Sequence, residues 1–284
     1  MTDETKALLE LCALWGAGAF AGVVVVGTLL TQTKKVSGAL SHIVTHAPGL
    51  DLVVAGFSWI PWVFAVALAG WWAALATLVG QYLGLFVWSW VHETICRRQM
   101  RGPRIVGYVN RRVGRFANHL ALAVTAVAFP IFWGIRFGEV CVYPFLVWLI
   151  KLPPYRHSEW INVSRQKFDG LVGHDLIWCL YCDWMTGVYS LGAEMLRNVE
   201  TFWCPIKFYD GKKCDNCKID FPDIAGAPGG GWVEANGTMG DVVKAMEAHY
   251  DGGDHSWWGH PRRTQQLTVN GQPAASSQAP ERKE

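Results

Sequence analysis

Charge is what this sequence has least of. Asp, Glu, Lys and Arg make up 17% of its 284 residues, below the roughly 25% usual for water-soluble domains. The shortage is concentrated. Glu10 is the one charged residue between Ala7 and Leu30, and none occurs between Leu52 and Val91. A water-soluble fold would expose charge along stretches of that length, so a single soluble domain is not the expected class. Other absences narrow the chemistry. A formal charge of +2 offers no global attraction to nucleic acid, and no such partner is expected. Walker, dinucleotide-binding, nucleophile-elbow and H-E-x-x-H patterns are missing from places where their structural context would be credible. The start, Met1 to Lys6, is acidic and has no small-residue cleavage site after a short apolar core. The first apolar stretch is therefore expected to be retained rather than removed as a signal peptide.

What is present is long apolar sequence, 51% hydrophobic residues in all. Leu8 to Leu30 is long enough to cross a hydrocarbon core of about 30 Å as a helix, and Gly18 and Gly22 stand one turn apart on it. The tract from Leu52 to Val91 would reach about 60 Å as one helix, roughly twice that thickness. It predicts a tight hairpin, or a half-helix followed by a long helix, with Pro61 and Gly70 as turn points. A third tract, Phe116 to Ile150, is interrupted by Pro130, Arg136 and Glu139 and reads as a short hairpin or a broken helix. Arg136 and Glu139 are expensive there unless they pair or face a polar cavity, and their spacing of three allows a pair on one helix.

Between His92 and Arg115 lie Arg97, Arg98, Arg101, Arg104, Arg111, Arg112 and Arg115, with Glu93 the only acid. Such loops stay cytoplasmic. Lys34 and Lys35 favour the same side, so two crossings should separate them from the arginine loop, which places the N-terminus outside. If the third tract crosses twice, the cysteine segment and tail are cytoplasmic. The fold class expected is mainly α, a polytopic membrane helical bundle of about three to five spans, some broken or re-entrant. The expected organisation is a transmembrane region over 1–151, a membrane-proximal Cys-rich segment over 152–225 and a flexible tail over 226–284. The tail opens on a Gly/Pro linker and ends in polar sequence that cannot bury a core, with a short helix around Asp241 to His249.

Five cysteines follow the last apolar tract: Cys179, Cys182, Cys204, Cys214 and Cys217. Two C-x-x-C pairs plus one thiol make a metal site the leading reading, because four thiolates suit tetrahedral zinc and a two-residue gap lets both sulfurs of a pair reach one ion. An iron–sulfur centre draws on the same ligands, and free thiols or disulfides are the plain alternative. The first pair lies on a helix expected over 168–199, where Asp175, Cys179 and Cys182 share one face. That helix is largely apolar and is expected at the membrane interface, with Trp178, Tyr181, Trp184 and Tyr189 as anchors. A weaker second site is formed by His42, His46, His92 and His119, which would serve as haem or di-metal ligands.

The function expected is that of an integral membrane protein with a Cys-ligated structural metal site, zinc first. It would act as a non-catalytic subunit or accessory component of a membrane complex, with the bilayer and membrane proteins as partners. The alternative is a membrane oxidoreductase or electron-transfer subunit with an iron–sulfur, haem or di-metal centre.

Overall fold

The computed structural model describes residues 2–98, 104–168, 170–203 and 237–250, with the pairs 268–269 and 272–273. The described residues are mostly helical and fall into two compact units, 1–129 with 157–187 and 130–156 with 188–284.

The first unit is built on the two apolar tracts that open the chain. Helix α1, Asp3–Val36, carries Asp3 and Glu4 in its first turn, where carboxylates complement the helix dipole. A short helix α2, Gly38–Thr45, is capped by the Ser37 side chain, which accepts from Leu40 N. The second tract then forms α3 (Gly49–Phe57), α4 (Trp59–Ala69) and α5 (Trp71–Ile95). Gly70, at φ +85, ends α4 and starts α5, a backbone conformation that suits glycine. The half-helix plus long helix expected from the sequence is therefore present, with Gly70 as its turn point.

The bend of 56° between α3 and α4 falls at Ser58, three residues before Pro61. Pro61 has no N–H to offer the carbonyl four residues back, that of Phe57. Gln81 supplies the missing donor from α5, its Nε2 lying 3.3 Å from Phe57 O and 3.2 Å from Ser58 O. Gln81 is 4% exposed in a tract with no charged residue. Backbone groups freed at membrane depth need an internal partner, and this amide provides it.

Helices α1 and α5 pack through small residues. Gly80 faces the Gly16 backbone so closely that no side chain fits between them, and Gly84 lies against Phe20 and Val23. Further along, Gly27 meets Trp88. These contacts advance together, so the two helices run parallel and their C-terminal ends, which carry Lys34–Lys35 and Arg97–Arg98, lie on the same side of the unit. Gly18 and Gly22 have open space around them; the close approach on α1 is made at Gly16. Ala65, Ala73 and Ala74 form the small-residue core where α4 meets α5, with Trp15 packed against it.

The third tract is one helix of 36 residues, Arg115–Ile150, rather than a hairpin. It comprises α7 (Arg115–Val127), α8 (Phe129–Phe137), a π-helical turn (Gly138–Val142) and α9 (Tyr143–Ile150), and follows a short α6, Ile105–Val113. A single long helix removes the second crossing on which the cytoplasmic side of the tail was argued.

Among the described residues three helices, Asp3–Thr31, Trp71–Ile95 and Arg115–Ile150, are long and apolar enough to cross a membrane, and the bent α3–α4 pair makes a fourth if it counts as one span. In the most apolar stretches of the first and third of these, only 6% is buried inside the protein. Leu14, Leu29, Trp71, Tyr82, Phe116 and Trp148 are exposed, while Gln81, Arg136, Glu139 and Asn198 are buried. Apolar groups outward and polar groups inward is the distribution of a protein solvated by lipid.

The remaining long helix, α11 (Gly173–Trp203), follows the four-residue α10, His157–Trp160. One face of it packs against the protein, where Leu176, Trp184, Val188, Leu191 and Met195 are buried. Trp184 is fully buried and donates from Nε1 to Asp51 Oδ1 at 3.0 Å. Helix α12, Met239–Tyr250, agrees with the short helix expected in the tail and begins after Thr238, whose N–H and hydroxyl both contact Asp241 Oδ2 at 2.7 Å. The rest of the tail, apart from a two-residue antiparallel pairing of Thr268–Val269 with Gln272–Pro273, lies outside the described residues.

Candidate functional site

Three polar centres stand out against the apolar background, two in the first unit and one in the second. The first is at the C-terminal end of α5. Glu93 receives both terminal nitrogens of Arg104, at 2.6 and 2.5 Å, in the bidentate geometry that suits guanidinium and carboxylate. The same carboxylate accepts the His174 backbone N–H at 3.1 Å, and His92 Nδ1 accepts that of Gly173 at 3.0 Å. The first N–H groups of α11 are thus satisfied by side chains of α5, which is how a helix start is held in place. Asp175 accepts the Val106 N–H at 3.1 Å and lies 3.5 Å from Arg104 Nε. Burial pushes the Asp175 carboxyl up, but His174, Arg104 and the Val106 N–H together outweigh it and hold the group below its ordinary value. Trp178 Nε1 donates to His174 Nε2 at 3.0 Å, so the proton of a neutral His174 is on Nδ1, toward Asp175.

The second centre surrounds the first cysteine pair. Asp183 Oδ2 accepts the backbone N–H groups of Ser164 and Arg165, at 3.0 and 3.1 Å, and its Oδ1 lies 2.7 Å from Arg165 Nε. Arg165 lies beside both Cys179 and Cys182. Burial pushes the Cys179 thiol up and the guanidinium draws it partly back. Burial alone pushes nearby Tyr181 up to about 12. The two thiols do share a helix face, as their spacing predicts. Cys204, Cys214 and Cys217 lie outside the described residues.

The third centre belongs to the second unit. Arg136 Nη1 donates to Glu139 Oε2 at 2.7 Å, and both side chains are almost wholly buried. The pair expected from their spacing is present. One π-helical turn follows, closed by Tyr143 N–H to Gly138 O, and it brings the buried Tyr143 toward α11. Asn198 Nδ2 donates to Tyr155 Oη at 2.5 Å and to Tyr143 Oη at 3.2 Å. Tyr143 in turn donates to Pro153 O at 3.1 Å, and Tyr155 to Glu194 Oε1 at 3.4 Å. A carbonyl and a carboxylate at the two ends accept only, so every hydrogen in the chain of bonds has a fixed direction. Burial and then the Glu194 charge push the Tyr155 hydroxyl well above its ordinary value. It stays protonated and donates.

The four histidines of the weaker site do not form one ligand set. His42 and His46 stack on each other with centroids 3.9 Å apart. His92 accepts from Gly173 N–H and stacks on Trp88, whereas His119 Nδ1 donates to Arg115 O and its ring lies beside that of His174, centroids 5.8 Å apart. Among the described residues no three His, Cys, Asp or Glu side chains are grouped so as to hold a metal ion. Of the free cysteines outside the pairs, Cys12 and Cys96 are half-buried, in keeping with packing roles, but Cys141 is exposed.

Sequence reasoning missed Tyr143, Tyr155, Glu194 and Asn198 as a group. The available signal was the spacing of Glu194 and Asn198, one turn apart on the same helix. Neither a family model, a curated protein nor a solved structure matches this chain.

Proposed function

We propose that this chain is a polytopic membrane component that serves a membrane complex as a non-catalytic subunit, with a Cys-ligated zinc site stiffening its membrane-proximal segment. The observation that carries the non-catalytic reading is the engagement of charges with one another, the buried Arg136 with Glu139 and the half-buried Arg104 with Glu93 and Asp175. Groups held this way orient helices. A catalytic site would instead present an acid, base or nucleophile toward a space where a substrate can sit.

Cys179 and Cys182 support the zinc site. They stand one turn apart, face one guanidinium and would contribute two thiolates, with two more drawn from Cys204, Cys214 and Cys217. Arg165 beside them would offset the negative charge that a four-thiolate zinc site carries. The pair lies on α11 within three turns of the residues bound to the arginine-bearing end of α5. Under this proposal the positive-inside rule makes this end cytoplasmic, and the N-terminus, at the other end of a helix parallel to α5, would lie outside.

Elemental analysis of the purified full chain, combined with thiol alkylation in the native state, tests this reading. One zinc per chain and protection of four cysteines are expected. No metal and five freely alkylated thiols would overturn the site. A visible chromophore would instead favour the electron-transfer alternative.

A further inference from the structure

The chain between α5 and the 36-residue helix is confined by its two ends. Both helices are long and apolar enough to span, so the end of the first, with Arg97 and Arg98, and the start of the second, with Arg115, lie at the same face. The short α6 is then held at headgroup depth. It is pinned at its start by Asp175, which accepts Val106 N–H, and toward its end by Asn110, whose Oδ1 accepts from the buried Asn118 Nδ2 at 2.8 Å. These ties fix which side of α6 turns outward. Ile105 and Tyr108 on that side are 54% and 62% exposed, and Arg111 and Arg112 beside them are exposed too.

The charge balance of this surface is one-sided. Glu93, the only acid between His92 and Arg115, is engaged by Arg104. Arg97, Arg98, Arg111, Arg112 and Arg115 are all exposed, and none has an ion pair among the described residues. Five unpaired guanidiniums with an adjoining apolar pair form the pattern of an interfacial helix that seats its apolar groups at the acyl boundary and its cations among headgroups.

We propose that the outer face of α6, with the C-terminal end of α5 and the first residue of α7, is a binding surface for anionic phospholipid headgroups of the adjacent leaflet. The guanidiniums supply bidentate donors to phosphate oxygens, and Ile105 and Tyr108 fix the depth at which those donors lie. The inference rests on the embedding of α5 and the helix after it and is independent of the zinc site, so it can fail while the metal is retained.

The test uses the full chain reconstituted in phosphatidylcholine vesicles containing phosphatidylglycerol, with the lipid immobilised on the protein identified by spin-labelled analogues of each. Enrichment of phosphatidylglycerol over phosphatidylcholine is expected, falling by about fivefold for each arginine removed at low ionic strength in the series Arg111→Gln, Arg112→Gln and Arg115→Gln. On the unaltered chain, where folding is not in question, added sodium chloride should abolish the enrichment, and inorganic phosphate exchanged for chloride with the ionic strength held at its low value should leave it unchanged. Equal immobilisation of the two lipids would overturn the proposal. So would a triple variant that keeps the preference, or displacement by inorganic phosphate alone, which would identify a site for the free anion.

Discussion

Arg136 and Glu139 form an ion pair of 2.7 Å within one helix, their side chains only 4% and 2% exposed. Each would be costly at this depth alone, and together they present a nearly neutral group to the interior. The pair therefore contributes more through what its loss exposes than through its own attraction. Arg136→Leu, which leaves the carboxylate without its guanidinium, is expected to lower stability by about 3–5 kcal/mol. Arg136→Leu combined with Glu139→Leu should recover much of that loss. Thermal unfolding of the full chain in lipid nanodiscs measures both, and a double variant no more stable than the single one would contradict the account.

Gln81 closes the break in the second tract by reaching two carbonyls, those of Phe57 and Ser58. Gln81→Leu keeps the size of the side chain and removes the donors. The Phe57 carbonyl, which Pro61 cannot serve, is then left without its donor at membrane depth, at an expected cost of about 1–3 kcal/mol. Denaturant or thermal unfolding of the variant checks the loss, and an unchanged midpoint would show that the break is satisfied some other way.

Packing of α1 on α5 is asymmetric in its tolerance of side chains. Gly80→Val would place branched carbon against the Gly16 backbone, whereas Gly18→Val meets open space. The first should destabilise by about 1–3 kcal/mol through forced helix separation, whereas the second should be neutral or stabilise by a few tenths, because valine has the better helix propensity. The difference between the two midpoints is the quantity to measure.

Asp175 gives the protein a defined acid limit. Its folded pKa lies below the unfolded value of about 3.9, so its contribution is fully present above that value and is lost as pH falls through the lowered one. Asp175→Asn should reduce overall stability at neutral pH and flatten the part of the decline that begins below about pH 4. Unfolding midpoints of both proteins across that range test the assignment; parallel acid declines would contradict it.

The spans were legible in the sequence because lipid imposes its demand locally, residue by residue, over twenty or so positions. Arg136 with Glu139 and Cys179 with Cys182 were legible for a similar reason, since helical periodicity alone places each pair on one face. Contacts between distant segments were not. Trp184 and Asp51 are 133 positions apart, and nothing in either neighbourhood announces the other. The same holds for Glu93 with the start of α11, and for Tyr143 and Tyr155 with Asn198, where each polar group is ordinary until the fold brings its partner. Of the two readings of the third tract, the hairpin fails and the interrupted helix holds, the interruptions at Pro130, Arg136 and Glu139 being milder than a reversal of the chain. A proline in the first turn of α8 and a self-neutralised pair are both compatible with one long helix, whose irregularities are a turn at Ala128 and the π-helical turn.

The most direct test of the account is sidedness. Epitope tags placed before Met1 and after Arg98 of the full chain, probed by antibody in sealed right-side-out and inside-out vesicles, report the two ends of the α1 and α5 pair. The parallel course of these helices predicts that the tag at Met1 is reached only from outside and the tag at Arg98 only from the cytoplasmic face. Detection of both tags from the same face, or release of the chain from membranes by alkaline carbonate, would contradict it.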